Sequence, residues 1–351
     1  MRTHDFRLLP DLASRTLAGS VVYANDELFA ERENLIKPEP AVFSTESFGH
    51  KGKIYDGWET RRRREPGCDY AIVRLGVPGV IHGVVVDTAW FKGNYPPFVS
   101  VEATSIEGFP TTDELKTATW VTLVEKSEVK GDSENPFDVS DAHRYTHARL
   151  TIYPDGGVAR FRVHGDPMPD PRLLTGTIDL AGLENGGTII DCSNMFYSSP
   201  LNILRPDRAR IMGDGWENAR RRDSGNDHVT VRLAARGSVR RVEIDTSYFI
   251  GNSAGWACLR GIDSTAADLE DDAAWVELVA KTRLQPDTRH FFGAATTAPV
   301  THVRLDVFPD GGLARLRVNG EIDPQTLREL GESYRSSLPD AHRRAESAAE
   351  L

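Results

Sequence analysis

Asp56-Gly57-Trp58-Glu59-Thr60-Arg61-Arg62-Arg63-Arg64 returns once in this chain, 158 positions later, as Asp214-Gly215-Trp216-Glu217-Asn218-Ala219-Arg220-Arg221-Arg222. Each copy packs two carboxylates, an indole and at least three guanidinium groups into nine residues. Working outward, the match continues on both sides. Asp11-Leu12-Ala13-Ser14 corresponds to Asp179-Leu180-Ala181-Gly182, and Asn34-Leu35-Ile36-Lys37-Pro38 to Asn202-Ile203-Leu204-Arg205-Pro206. The offset there is 168, so the loop before the motif is ten residues longer in the first copy. Downstream, Val86-Asp87-Thr88-Ala89-Trp90-Phe91-Lys92-Gly93-Asn94 falls on Ile244-Asp245-Thr246-Ser247-Tyr248-Phe249-Ile250-Gly251-Asn252. The copies close on Pro154-Asp155-Gly156-Gly157 and Pro309-Asp310-Gly311-Gly312. A period this long is not a solenoid unit, so the chain is a duplicated domain. We expect a first repeat over 1–170, a second over 171–328 and a polar tail over 329–351, with Asp166 to Pro171 as the linker.

Within each copy the apolar residues come in short β-branched runs separated by Gly, Pro and acidic turns. Ala71–Leu75, Val84–Val86, Val121–Val124 and Leu150–Tyr153 read as strands. Pro154-Asp155-Gly156-Gly157 carries turn chemistry, since proline presets φ and glycine accepts positive φ. It predicts a hairpin between Leu150–Tyr153 and Val158–Val163, whose residues alternate polar and apolar. Helical periodicity is confined to the end, where a helix over Asp323–Glu332 would be capped near Asp323 with Pro324 in its first turn. From Ser333 a frayed tail is expected. The fold class is all-β: two antiparallel sandwiches in tandem.

Bulk properties narrow the function. The 351 residues carry a net charge of −10, against the basic excess of a duplex-binding protein. The arginine runs therefore read as partners for a small anion, and nucleic acid is not an expected partner. Three widely spaced cysteines without a CxxC suggest a reducing compartment rather than disulfides or structural zinc. The N-terminus lacks the apolar run of a signal peptide, and nothing approaches the ~20 apolar residues of a membrane span. A cytoplasmic protein is expected. No cofactor is predicted, although the pattern leaves room for a weakly held divalent ion.

The duplicated motif admits two readings. The arginines can clamp a substrate carboxylate through the guanidinium fork while Asp56 or Glu59 moves protons. Alternatively Asp, Glu and Arg form a structural ion-pair knot. Four arginines on an extended chain alternate faces, so at most two can enter one pocket. Arg61 becomes Ala219, which moves weight to Arg62 and Arg63. Asp87 and Asp245 each end an apolar strand before a loop, a placement that suits either a rim site or an Asx turn. Lys92, Asn94 and Tyr95 occupy the loop that follows; the second copy keeps the Gly and Asn but has Ile250 and Ser253-Ala254-Gly255. His147 and His302 read as satisfied core residues.

Taken in order and in duplicate, Asp-Gly-Trp-Glu-Thr-Arg-Arg-Arg, Asp-Thr-x-x-Phe-Lys-Gly-Asn-Tyr-Pro and Tyr-Pro-Asp-Gly-Gly-Val-Ala-Arg-x-Arg resemble the allantoicase family over roughly residues 10 to 325. The resemblance implies two jelly-roll domains similar to galactose-binding domains, usually oligomeric, that convert allantoate and water to ureidoglycolate and urea. For that substrate the repeated acids nearest the repeated arginines, Asp56, Glu59 and Asp87, are the expected catalytic groups. Trp58, Arg62, Arg63, Lys92, Asn94 and Tyr95 would bind substrate. The second-copy equivalents are Asp214, Trp216, Glu217, Arg220, Arg221, Asp245 and Asn252. The chain departs from the family pattern at Cys68 and Tyr70, at His228 and at the Ile250 loop, which favours the first copy as the intact site. A non-catalytic tandem binding module and a hydrolase of a related ureido compound such as ureidoglycolate are the competing readings.

Overall fold

A computed structural model describes residues 5–340 except 45, 47, 50, 51 and 54. The chain divides into two compact units, one comprising Met1–Met168 with Tyr334–Leu351 and the other Pro169–Ser333. Each is a jelly-roll β-sandwich. Among the described residues no helix is long and apolar enough to cross a membrane.

The first unit is built on a single 19-residue strand, Asp69–Asp87. The two strands expected at Ala71–Leu75 and Val84–Val86 are parts of it. Its first half pairs antiparallel with Ser20–Ala24 and Arg144–Tyr153, its second half with Glu134–Asp138 and Arg160–Pro167. Phe98–Thr104 and Val121–Glu128 extend the sheet beyond Arg144–Tyr153. The register with Arg144–Tyr153 breaks between Arg74 and Gly79, at Leu75-Gly76-Val77-Pro78. Glycine and proline there interrupt the ladder and let the strand turn a corner.

The strand's ends must lie at one rim. A straight 19-residue strand would span ~60 Å at ~3.3 Å per residue. Yet Tyr153 pairs beside Asp69 and Arg160 pairs with Asp87, joined only by residues 154–159. Such a link reaches about 24 Å at most. The strand therefore folds over, each half contributing to one layer. This also corrects the expected hairpin: Leu150, Thr151 and Ile152 pair with the first half of the long strand and Arg160 to Val163 with its second half, while Val158 pairs with Trp58. Local turn chemistry marks where a chain reverses, not which partner it meets.

Between the layers lie Leu12, Trp58, Val73, Val86, Phe91, Leu150 and Phe161, all buried. The second unit repeats the plan with Asp227–Asp245 as its long strand, Pro299–Phe308 on the first half and Arg315–Ile322 on the second. The phrase Asp11-Leu12-Ala13 also repeats a device. Asp11 Oδ1 accepts the Val163 and Ala13 amides, as Asp179 Oδ1 accepts those of Val318 and Ala181. Asp166 and Pro167, expected in a linker, end the strand Arg160–Pro167. The C-terminal helix begins as expected, with Asp323 Oδ1 accepting the Gln325 and Thr326 amides, but runs from Pro324 to Ser337. Tyr334 and Leu338, in the segment expected to fray, are buried.

Candidate active site at the sandwich rim

The motif Asp56 to Arg64 crosses the rim where the long strand begins and ends. Trp58–Glu59 form a two-residue strand on Gly157–Val158 of the Pro-Asp-Gly-Gly corner. Trp58 faces inward with no exposed surface, and its indole N–H donates to the Asp26 carbonyl at 2.7 Å. It is a core residue; Trp216 is buried identically, on Asn194. Alternation then turns Glu59 to the opposite face.

Glu59 is half-buried and its Oε1 accepts from Asn94 Nδ2 at 2.6 Å. No described residue bonds its other oxygen. Burial raises its pKa, with the Asn94 hydrogen bond opposing. Asn94 is held in turn by the corner, where its carbonyl accepts the Gly157 amide at 2.8 Å. That close approach requires glycine at 156. Its φ is +143°, and a Cβ there would come within 2.6 Å of the Pro96 nitrogen. The second copy preserves the arrangement: Asn252 Nδ2 donates to Glu217 Oε1 at 2.6 Å, and the Gly312 amide to the Asn252 carbonyl at 2.7 Å.

Asp87 ends the long strand, and its carbonyl accepts the Ala159 amide of the corner at 2.7 Å. Its Oδ1 accepts the Ala89 amide at 2.8 Å, the Asx turn of one sequence reading, while no described residue bonds Oδ2. Its pKa is raised, chiefly by burial and further by the carboxylate of Glu134, against the Ala89 amide and Arg162 and Arg160. Two carboxyl groups at the first rim are thus shifted toward holding a proton.

Asp56 differs. Its carboxylate accepts from Arg160 at 2.7 Å, Lys37 at 3.1 Å and the Val42 amide at 3.1 Å. Burial raises its pKa, but these donors outweigh it and the net shift is downward. The fully buried Arg160 needs a fixed anion, and Asp56 supplies it. Asp214, its counterpart, pairs instead with Arg210 at 3.3 Å, while Arg315 turns to Asp207.

The arginines also divide. Arg63 folds inward, its NH1 2.6 Å from Oδ1 of the buried Asp69 and its amide on Asp155. Arg221 repeats this on Asp227 and Asp310. Arg61 bonds Asp26. Arg62 and Arg220 are exposed and make no ion pair with any described residue. Lys92 is 73% exposed, 3.7 Å from Asp132, and Tyr95 packs its ring over Gly131.

The geometry joins Glu59 to Asn94, sets Asp87 at the end of the long strand with one oxygen unbonded by any described residue, and leaves Arg62 and Arg64 exposed in the motif, while Lys92 is exposed beside Asp132. Trp58, Arg63 and Asp56 are engaged in holding the rim. Sequence reasoning missed Asp26 and Asn194, whose carbonyls hold the indoles and whose side chains accept the amides of Arg61 and Ala219. Their equivalence at the 168 offset was the available signal. It missed Glu134 as well, which lies opposite Asp87 across the strands. His147 is buried as expected, its pKa lowered to about 4 by burial and by Arg74. Among the described residues no group of three or more His, Cys, Asp or Glu side chains is placed to hold a metal ion.

Comparison with known proteins agrees with the duplication. A family model described as an allantoicase repeat matches residues 10–168 and again 178–323. A probable allantoicase of Nocardia farcinica is 56% identical over 321 residues, covering 90% of this chain and 95% of that protein. The allantoicase of Dictyostelium discoideum is 41% identical over 318 residues, covering 88% and 86%. A crystal structure of the allantoicase of Saccharomyces cerevisiae superposes with a TM-score of 0.75 at 36% identity, over 89% of this chain and 92% of that one.

Proposed function

Since this chain belongs to the allantoicase family, we propose that it hydrolyses allantoate to ureidoglycolate and urea at the rim of its first repeat. The observation that carries the placement is the half-buried Glu59, anchored by Asn94 at 2.6 Å, with Asp87 and its unbonded oxygen closing the long strand. Allantoate is a carboxylate with two ureido groups on one carbon. Arg62 takes the carboxylate through its planar fork, with Lys92 as a second cation. Asn94 and the rim backbone face the ureido groups.

In this reading Asp87 is the acid and Glu59 the base. As the bond from the central carbon to one ureido nitrogen breaks, its electron pair stays on nitrogen, and Asp87 gives that nitrogen a proton. Glu59 takes a proton from water, whose hydroxyl adds to the central carbon. Ureidoglycolate and urea result, one water is consumed, and the two carboxyls recover their starting states by exchange with solvent. Burial raises the pKa of both carboxyls, and the like charge of Glu134 adds to it at Asp87 alone, which supports giving Asp87 the acid's part.

The exposed apolar side chains of the second repeat, including Phe196, Tyr197, Ile211 and Ile250, support a homo-oligomer. Three free cysteines support the cytoplasm. The deciding assay is urea release from allantoate, with ureidoglycolate as the parallel substrate. Glu59→Gln should lower kcat at least a hundredfold; a kcat within threefold of wild type would remove Glu59 from the chemistry.

A further inference from the structure

The two rims share a scaffold but differ in charge where it bears on catalysis. Across the strands from Asp87 stands Glu134; across from Asp245 stands Arg289. Two residues before the aspartate, Val85 in the first copy is Glu243 in the second. Glu243 is buried and takes Arg289 at 2.8 Å and Arg208 at 2.5 Å. Arg208 also lies 3.5 Å from Asp245 Oδ2. The Oδ1 of Asp245 accepts both the amide and the hydroxyl of Ser247, at 2.8 and 2.6 Å. Asp245 is thus occupied on both oxygens and 1% exposed, whereas Asp87 offers a free oxygen. Lys92, an exposed cation of the first rim, is replaced by Ile250.

What the second rim retains is the apparatus for holding a ligand. Glu217 and Asn252 keep the 2.6 Å pair, anchored on the Gly312 amide, and Arg220 is exposed and unpaired among the described residues. We propose that the second rim binds a small ureido carboxylate, through Arg220 and the Glu217–Asn252 pair, without turning it over, because Ser247 and Arg208 engage both oxygens of Asp245. The inference rests on the first-rim reading above. It makes each chain a one-centre catalyst with a second, non-reacting site for the same chemical class.

The test uses the full-length chain and allantoate as the probe. Asp87→Asn should lower urea release at least a hundredfold and leave a chain that binds two allantoates at equilibrium, read by calorimetry. Adding Glu217→Lys should reduce the count to one. Arg220→Ala on the same background, a surface change without folding risk, should weaken one of the two binding events about tenfold. The proposal is overturned if Asp87→Asn keeps about half of the wild-type kcat and Asp87→Asn with Asp245→Asn loses it, since both rims then turn over. It is overturned equally if the Asp87→Asn chain binds one allantoate and neither Glu217→Lys nor Arg220→Ala changes that event. A chain that releases no urea as wild type, or full kcat in Asp87→Asn, would instead sink the first-rim reading and this one with it.

Discussion

Arg62 and Arg63 are neighbours in one arginine run, and the structure assigns them opposite work. Arg63 NH1 lies 2.6 Å from Asp69 Oδ1, and Asp69 is 1% exposed. Removing one partner of a buried pair leaves an uncompensated charge and costs about 3–5 kcal/mol. Asn25 Nδ2 still bonds Asp69 at 3.1 Å, so Arg63→Ala belongs at the low end, about 3 kcal/mol. For a domain of this size about 2–4 °C accompanies each kcal/mol, giving a fall in Tm of roughly 6–12 °C. Asp69→Asn in the same chain removes the stranded charge and should restore at least half of that loss. Arg62→Ala should leave Tm unchanged, because surface changes lie within about 0.5 kcal/mol. It should instead lower kcat/KM about ten- to a hundredfold, the worth of a charge-assisted hydrogen bond of about 1.5–3 kcal/mol. Calorimetric melting and steady-state urea release read both quantities. A Tm within 2 °C for Arg63→Ala, with KM raised tenfold, would refute this assignment and return Arg63 to the substrate clamp.

Three further outcomes follow, two from the same rim and one from His147 beside the corner of the long strand. The raised pKa of Glu59 means the folded state holds a proton where the unfolded chain has lost it, so this group costs stability as pH rises above about 4.5. Glu59→Gln should therefore raise Tm at pH 8 relative to wild type and show no gain at pH 4; a gain that grows toward acid would contradict the burial argument. Trp58→Phe leaves the Asp26 carbonyl unpaired and a gap in the core, for a loss of about 3 kcal/mol, with KM for allantoate unchanged; a KM shift beyond threefold would put the indole back in the binding site. His147, with its pKa lowered to about 4, binds its proton less readily folded than unfolded, so it contributes stability that is lost as pH falls from about 6.5 toward 4. His147→Gln should flatten that limb of the Tm–pH curve while leaving the pH–rate profile in place between pH 5 and 8.

The duplication, the all-β class and the rim position of the motif were legible because they rest on residue types at fixed offsets. The corner in the long strand was less so. Leu75-Gly76-Val77-Pro78-Gly79 carries the punctuation of a break, and reading it as the gap between two strands was the natural local choice. Only the pairing of Arg144–Tyr153 and Arg160–Pro167 on opposite halves shows one strand turning between layers. Likewise nothing in a run of four arginines says which guanidinium is consumed inside. Asp69 lies six residues beyond Arg63, but its capture depends on where the long strand begins.

The duplication also sets a trap for reading sites. Residues that persist in both copies include the buried tryptophans, the Arg63–Asp69 and Arg221–Asp227 pairs and the Asp11 and Asp179 turns, all of which build the sandwich. Persistence alone therefore selects for scaffold at least as strongly as for chemistry. Differences are more informative. Glu134 against Arg289, Val85 against Glu243 and Lys92 against Ile250 leave the fold intact, and each changes the charge around the rim carboxylates. The first sets a cation opposite Asp245, the second adds an acid that holds Arg289 and Arg208 there, and the third removes a cation from the ligand side. Scaffold repacking would scatter such changes over the sandwich. Two of the three fall at Asp245, where a second reacting rim would need the free carboxyl oxygen that Asp87 keeps.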